Sequence, residues 1–292
     1  MEKYHRIDFS DQISRNKMKS FFLMAFIFVV LVILGYVISF AFDPGFFFVI
    51  MIISIVFSIG YLLISYYNSD KIAIASVGAK PASRATHKEY YSLVEGLTIA
   101  SGMPMPRLYI MNSPQINAFA SGRDPQHAVV CVTEGALQKL DKRELEGVLA
   151  HEIGHIASYD MRYMTLVAVM VGLIAIISEI FLRSLWYKGS DDNKNGLFIL
   201  IGLVMAILAP IIVQLVQLAI SRKREYSADA TAVKFTRYPN GLIGALKKIR
   251  DENSPEKKVS KAVSHLFFAN PFKNLGSTHP DINERIKVLE RM

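Results

Sequence analysis

Apolar residues are gathered in four long runs along this chain, and most polar residues lie between the runs. The runs cover residues 21–42, 46–67, 164–182 and 197–220, and Glu179 is the one charged residue inside them. At about 1.5 Å per residue in a helix, each run is long enough to cross the hydrocarbon core of a bilayer. The pattern therefore predicts an α-helical membrane protein with four transmembrane helices arranged as two hairpins.

The first run has some features of a secretory signal, but it is longer than the roughly 7 to 15 apolar residues of such a signal. A second run follows it after only three residues. Residues 21–42 are therefore predicted to be a retained membrane anchor that pairs with residues 46–67.

Basic residues near the ends of the runs predict how the chain is oriented. Residues 1–20 contain five lysines and arginines, residues 68–88 contain four, and an Arg-Lys-Arg cluster occupies 222–224. The loop at 43–45 has none, and residues 183–196 have three beside two aspartates. Because loops rich in lysine and arginine stay on the cytoplasmic side, both termini are expected in the cytoplasm, with the protein in the inner membrane.

The net charge of +8 is explained by the same residues. They flank the membrane runs, where they meet anionic head groups, so the expected partner is the lipid bilayer and no nucleic acid is expected. Cys131 is the single cysteine and cannot form an intramolecular disulfide, which suits a reducing compartment. Nothing in the sequence indicates the oligomeric state.

The runs divide the chain into membrane segments 1–67 and 164–220 and polar segments 68–163 and 221–292. The two polar segments are expected to combine into one cytoplasmic α+β domain. The first should contain a helix at 83–100 and short strands at 107–111, 116–120 and 128–133, and the second should contain helices at 225–235, 241–250, 257–268 and 281–290.

A metal-binding pattern lies in the middle of a further predicted helix. Residues 151–155 read His-Glu-Ile-Gly-His, and a capping-box pattern at 141–144 starts the helix upstream. One helical turn separates His151 from His155, so both imidazoles lie on one face, where they can share a zinc ion. Glu152 is then beside the metal and is the candidate general base.

A third protein ligand is needed, because catalytic zinc sites use three and keep a fourth position for water. Glu225 is the candidate, since it follows the fourth run at the membrane face where the helix of His151 and His155 enters the third run. The hairpin 164–220 would return Glu225 to the histidines. Asp229 lies one turn beyond Glu225, and we expect it to accept a hydrogen bond from His151 and orient that ring.

These motifs and several others resemble the HtpX family of membrane zinc endopeptidases, and the resemblance covers nearly the whole chain. The matching stretches are His-Glu-Ile-Gly-His at 151–155, Glu-Tyr-Ser-Ala-Asp at 225–229, Asn-Ala-Phe-Ala at 117–120, Val-Thr-Glu-Gly-Ala at 132–136, Ser-Thr-His-Pro at 277–280 and Glu-Arg-Ile at 284–286. The resemblance implies a gluzincin, with four hydrophobic segments and a zincin-like metalloprotease domain in the cytoplasm.

The same resemblance implies the roles of the site residues. His151, His155 and Glu225 would hold one zinc ion per subunit, and Glu152 would be the catalytic base. Expected substrates are damaged or misassembled membrane proteins, so the expected process is protein quality control under stress.

An oxyanion donor is also expected, because preorganised donors stabilise the charge that develops on the peptide oxygen. His279 is the preferred candidate, with Tyr226 and Arg285 as alternatives.

An edge strand is expected to align the substrate. An extended peptide can add to such a strand through main-chain hydrogen bonds, which predicts broad specificity for unfolded segments. The strand residues are Asn117, Ala118, Phe119 and Ala120.

Three other functions fit parts of the pattern. A zinc CAAX-type prenyl protease is the first, but such proteins have more membrane spans than the four counted here. A catalytically silent metal-binding scaffold is the second, and the presence of Glu152 argues against it. A transporter or channel is the third; it is suggested by polar residues such as Glu179, which a neighbouring Arg183 explains more simply as an ion pair.

Overall fold

Two long helices form the N-terminal part of the protein. The computed structural model describes residues 9–39, 44–170, 172–173, 222–252, 267–268 and 280–292. Helix α1 spans Phe9–Ser39 and helix α2 spans Phe47–Tyr67, with a short 3-10 helix at Pro44–Phe46 before α2. The two helices pack against each other so closely that a Cβ at Gly35 would collide with Ser54.

Both helices are long and apolar enough to cross a membrane. Among the described residues, the stretches Asp11–Ile33 and Phe47–Tyr67 satisfy this condition. Large apolar side chains of α2 such as Phe48, Ile52 and Val56 are exposed, which suits contact with lipid rather than with water. The second stretch coincides with the predicted run 46–67, and the first begins earlier than predicted.

The second predicted hairpin is described only at its start. Helix α7 covers residues 160–170, and residues 172–173 are also helical. The rest of the predicted span 164–182 and all of 197–220 lie outside the described residues.

A four-stranded sheet lies next along the chain, after the short helix α3 (Ser69–Ser76). Its strands are β1 (Lys80–Pro81), β2 (Arg107–Met111), β3 (Ala118–Ser121) and β4 (Val129–Thr133), in the order β1-β2-β4-β3. Strand β4 is parallel to β2 and antiparallel to β3. The three predicted strands are confirmed as β2, β3 and β4, while β1 was not predicted. Strand β3 is an edge strand of this sheet.

Helices surround the sheet and make the principal core with it. They are α4 (Lys88–Ser101), α5 (Glu134–Lys139), α6 (Lys142–Ala157), α8 (Arg222–Thr236), α9 (Pro239–Glu252) and α10 (Ile282–Leu289). Helix α6 is central, because it packs against α4, α8, α9 and β3. Val130, Leu149 and Leu242 represent this core, and all three are buried.

The predicted helices at 83–100, 225–235, 241–250 and 281–290 are confirmed as α4, α8, α9 and α10, with ends shifted by a few residues. The predicted helix 257–268 is wrong at its C-terminal end, and its residues 257–266 lie outside the described part. Phe267 forms an antiparallel β-bridge with Phe119, and their ring centroids lie 5.2 Å apart. Burial of both rings at the sheet edge overrides the helical spacing of apolar residues.

Candidate metal centre

Helix α6 presents two imidazoles to one point. A complete capping box of Asp141 and Glu144 starts this helix, as predicted, and fixes its register. His151 and His155 are one turn apart and buried, and their Nε2 atoms lie 3.1 Å from each other. The two lone pairs can therefore be directed at the same position.

Helix α8 brings a carboxylate to the same point. Glu225 is buried, with its oxygens 3.7 Å from Nε2 of His151 and 3.6 Å from Nε2 of His155. Gly154 allows this approach, because a Cβ there would be only 3.3 Å from Cβ of Thr231 on α8. The glycine inside the His-Glu-Ile-Gly-His sequence thus serves the packing of the two helices that carry the donors.

These donors have the chemistry and spacing that a zinc ion requires. His151, His155 and Glu225 each offer one ligand atom, and these atoms all lie within 4.8 Å of one another. Zinc bonds of about 2.1 Å at tetrahedral angles would place neighbouring ligand atoms about 3.4 Å apart. The observed separations of 3.1 to 3.7 Å lie close to that value.

The charges around the centre also leave room for a divalent cation. Four buried carboxylates surround it, and two buried guanidinium groups lie beside them. They are Glu152, Asp160, Glu225 and Asp229, with Arg224 and Arg285. Fully ionised, these groups carry two more negative than positive charges, and buried charges of one sign require a counter-charge. A zinc ion would supply it.

A carboxylate and a guanidinium hold His151 in place. Oδ1 of Asp229 is 2.9 Å from Nδ1 of His151, so Nδ1–H donates and Nε2 is left with its lone pair. Arg285 on α10 donates to both oxygens of Asp229, at 2.6 and 2.9 Å. Arg285 thus positions Asp229 through a bidentate pair, and its Nη1 lies 3.6 Å from Oε2 of Glu225. Its role as an oxyanion donor stays a prediction.

A second carboxylate, missed from the sequence, lies beside His155. Oδ2 of Asp160 is 3.5 Å from Nδ1 of His155. Asp160 begins α7, just after a turn in which Tyr159 adopts a left-handed φ of 60°. Its distance of five residues from His155 does not correspond to a helical contact, so helical spacing gave no signal for it.

The pKa values of the site follow from burial and from these neighbours. Burial lowers the pKa of His151 to about 4 and raises that of Glu152 to about 7. Burial alone would lower the pKa of His155, but the nearby carboxylates of Asp160 and Glu225 raise it to about 9. The surroundings of His155 thus favour positive charge, which a proton or a metal ion can supply.

Strand β3 runs past Glu152. The backbone of Ala120 lies near the Glu152 carboxylate and lowers its pKa, against the larger effect of burial. On the outer edge of β3, the carbonyl oxygen of Ala118 accepts a 2.8 Å hydrogen bond from the backbone N–H of Phe268. The ring centroids of Phe268 and His151 lie 4.8 Å apart. Phe268, which was predicted to lie in a helix, therefore lines the centre.

The other predicted site residues lie in or next to β3, on α8, or outside the described residues. Asn117 is buried directly before β3, and Phe119 is buried within it. Tyr226 is half-buried on α8, next to Glu225. His279 lies outside the described residues, and Pro280 directly after it is buried.

Comparison with known proteins assigns the chain to a group. The family model described as Peptidase family M48 matches residues 84–292. Protease HtpX homolog of Caldanaerobacter subterraneus subsp. tengcongensis is 41% identical over 289 residues, with 96% of each chain covered. The proteins of the same name from Thermoanaerobacter pseudethanolicus and Dictyoglomus thermophilum are 43% and 42% identical; the alignments cover 96% and 97% of this chain and 96% and 95% of those proteins.

A solved structure has a similar fold. The crystal structure of S. mikatae Ste24p superposes with a TM-score of 0.52 at 21% identity, covering 95% of this chain. This chain spans 66% of that chain's length. At this identity the similarity concerns the fold alone.

Proposed function

Because the chain belongs to peptidase family M48 and is a metalloprotease, we propose that it is a membrane-bound zinc endopeptidase with its active site in the cytoplasm. The family resemblance drawn from the motifs is confirmed. The observation that carries the proposal is the convergence of His151, His155 and Glu225, with Glu152 beside them. Its proposed substrates are misfolded or damaged membrane proteins, in line with a role in quality control.

The proposed reaction assigns one task to each group around the centre. His151, His155 and Glu225 would hold zinc, which when bound acts as a Lewis acid that acidifies water and polarises a peptide carbonyl. Glu152 takes a proton from the attacking water and delivers it to the leaving nitrogen, for which a pKa of about 7 is well suited. Asp229 keeps Nδ1 of His151 protonated throughout, so that Nε2 remains a donor of electrons.

The edge of β3 supports the choice of an extended, unfolded substrate. A peptide that adds to this edge needs the main-chain groups of residues 118–120, next to Glu152. One of them, the Ala118 carbonyl, is bonded to Phe268, so the peptide exchanges one backbone hydrogen bond for another. Recognition of this kind depends little on side chains, which agrees with broad specificity. His279 remains our proposed oxyanion donor.

The first test is reconstitution with metal. The protein purified in detergent without metal is expected to leave casein intact, and addition of zinc is expected to produce fragments. Magnesium is the matched control, because it prefers oxygen ligands and should not replace zinc at two imidazoles. Fragments that form equally well in the presence of a strong chelator would contradict a metal-dependent reaction.

The second test concerns topology. In intact cells, Ser190→Cys is expected to react with an impermeant maleimide, because residues 183–196 are predicted to lie outside. Ala85 is exposed between β1 and α4. A cysteine at this position is expected to react only after the membrane is opened. Cys131 is buried and burial raises the pKa of its thiol, so the parent protein is the unlabelled control.

The opposite labelling pattern would reverse the proposed orientation. Labelling of both positions from outside would mean that 164–182 and 197–220 do not cross the membrane as a hairpin. The proposed route that returns Glu225 to the histidines would then be lost.

A further inference from the structure

The polar N-terminal turns of α1 contact α8 and the turn after α6. Gln12 and Asn16 lie one turn apart on α1, so they share a face. Gln12 hydrogen-bonds to Ser227 of α8 at 3.3 Å. The amide nitrogen of Asn16 donates to the Ser158 carbonyl at 2.9 Å and to Oδ1 of Asp160 at 2.7 Å. Helix α1 is thus hydrogen-bonded to the turn that follows α6, the helix of His151 and His155.

Asn16 is a buried polar residue, and burial of its amide is unfavourable unless the amide is hydrogen-bonded. It is 3% exposed and stands on a helix whose following residues are strongly apolar. A buried amide requires hydrogen-bond partners, because an unsatisfied one destabilises the folded state. Its partners belong to a segment 144 residues away in the sequence, so the contact depends on the tertiary fold.

Asp160 connects Asn16 with the metal centre. Its Oδ1 accepts from Asn16, while its Oδ2 accepts from the Ser158 hydroxyl at 2.9 Å. The same Oδ2 lies 3.5 Å from Nδ1 of His155. Asp160 is 1% exposed, so its orientation is determined by these neighbours and not by solvent.

A carboxylate faces Nδ1 of His155, as one faces Nδ1 of His151, but at the ion-pair distance of 3.5 Å rather than the hydrogen-bond distance of 2.9 Å. Each imidazole has a buried carboxylate at Nδ1, and each carboxylate is held by a donor from a distant segment. Arg285 of α10 holds Asp229, and Asn16 of α1 holds Asp160. Partners of this kind orient the ring of a metal-binding histidine and set its tautomer.

We propose that Asn16 and Asp160 are positioning residues, through which the first membrane helix holds His155 in the orientation that binds the metal. This inference rests on the proposed metal site. It implies that metal affinity depends on the docking of α1, a helix that carries no metal donor itself. Asn16 acts only through Asp160, and Asp160 acts on Nδ1 of His155.

The test measures zinc affinity in detergent by competition with a chromophoric chelator. Asp160→Asn is expected to raise the zinc Kd by about 10–100-fold, the usual effect of losing such a partner. Asn16→Leu keeps a similar volume and removes the donor, and a rise of about tenfold or less is expected. If Asn16 acts through Asp160, the double variant should show no more loss than Asp160→Asn alone.

The matched control is Gln12→Leu, which removes the other polar contact of the same helix face. It should leave the zinc Kd unchanged, because Ser227 is not connected to Asp160. Equal losses in Gln12→Leu and Asn16→Leu would show a general effect of α1 docking and would overturn the specific relay. Thermal unfolding of each metal-free variant shows whether it is folded.

Ser158→Ala provides the same test without a change in α1, should Asn16→Leu fail to fold. It removes the second donor to Asp160, and its effect on the zinc Kd should also vanish in the Asp160→Asn background.

Glu225→Gln in the same assay distinguishes a failure of the Asn16–Asp160 relay from a failure of the proposed metal site. If wild type binds zinc and Glu225→Gln does not, while Asp160→Asn, Asn16→Leu and Ser158→Ala bind normally, the relay is wrong and the metal site stands. If wild type itself binds no zinc, the metal site is wrong.

Discussion

Glu152→Gln is expected to retain zinc and to lose peptide hydrolysis by about 10²–10⁴-fold. The side chain is 2% exposed, so glutamine of the same shape fits without a new cavity. The donor set of His151, His155 and Glu225 is unchanged, and the metal should therefore remain. What is lost is the proton carrier, because an amide cannot take a proton from water and pass it to the leaving nitrogen.

Zinc content by metal analysis and casein cleavage by gel measure the two properties separately. Glu146→Gln is the matched control, because it changes a carboxylate on the same helix that pairs with Arg143 at 3.0 Å and not with the centre. That variant should keep both zinc and activity. Cleavage by Glu152→Gln at the wild-type rate would show that another group is the base.

Much of this site could be predicted from the sequence because its signals are local. The spacing of His151 and His155 follows from helix geometry alone, and the capping box at 141–144 fixes where that helix starts. The same spacing rule places Glu225 and Asp229 on one face of α8. Strands β2, β3 and β4 were recognisable because each is short, β-branched or apolar, and bounded by turn residues. Strand β1 was not predicted, because its two residues form no alternating pattern.

The parts that sequence reasoning missed depend on long-range contacts. Phe267 and Phe268 have helical apolar spacing, yet they pair with β3, because burial of their rings at the centre is worth more than local propensity. Asp160 reaches His155 only because the chain turns through Tyr159, whose left-handed φ has no clear signal in a tyrosine. Asn16 precedes the predicted anchor 21–42, and its partners lie more than 140 residues away, so no local pattern indicates them.

Arg285 was named from the sequence, and the structure shows which groups it contacts. The sequence offered it, with Tyr226, as an alternative to His279 for stabilising an oxyanion. In the fold two nitrogens of its guanidinium donate to Asp229, and Nη1 lies 3.6 Å from Oε2 of Glu225. The guanidinium also lies over the ring of Phe268, with its carbon 4.6 Å from the centroid. The nearby negative charge of Asp229 also raises the pKa of Arg285, against the effect of burial. It therefore holds Asp229, which in turn holds the ring of His151.

Glu225→Gln is expected to lose zinc and activity together. A neutral amide is a poor substitute for a carboxylate ligand, and two histidines alone leave the site one protein ligand short. The expected rise in zinc Kd is at least about 100-fold, which exceeds the 10–100-fold usual for partners outside the ligand set. Metal analysis after mild dialysis against a chelator measures the loss, and casein cleavage should fall to background in the same samples.

Glu152→Gln is the best control for this variant, because it neutralises another buried carboxylate in the same centre. If Glu225 is a ligand and Glu152 is the base, both variants are inactive but only Glu225→Gln loses zinc. A general loss of negative charge would weaken zinc binding in both. Full zinc occupancy in dialysed Glu225→Gln would mean that another group completes the site; Asp160, on the other side of His155, would then be the first carboxylate to replace.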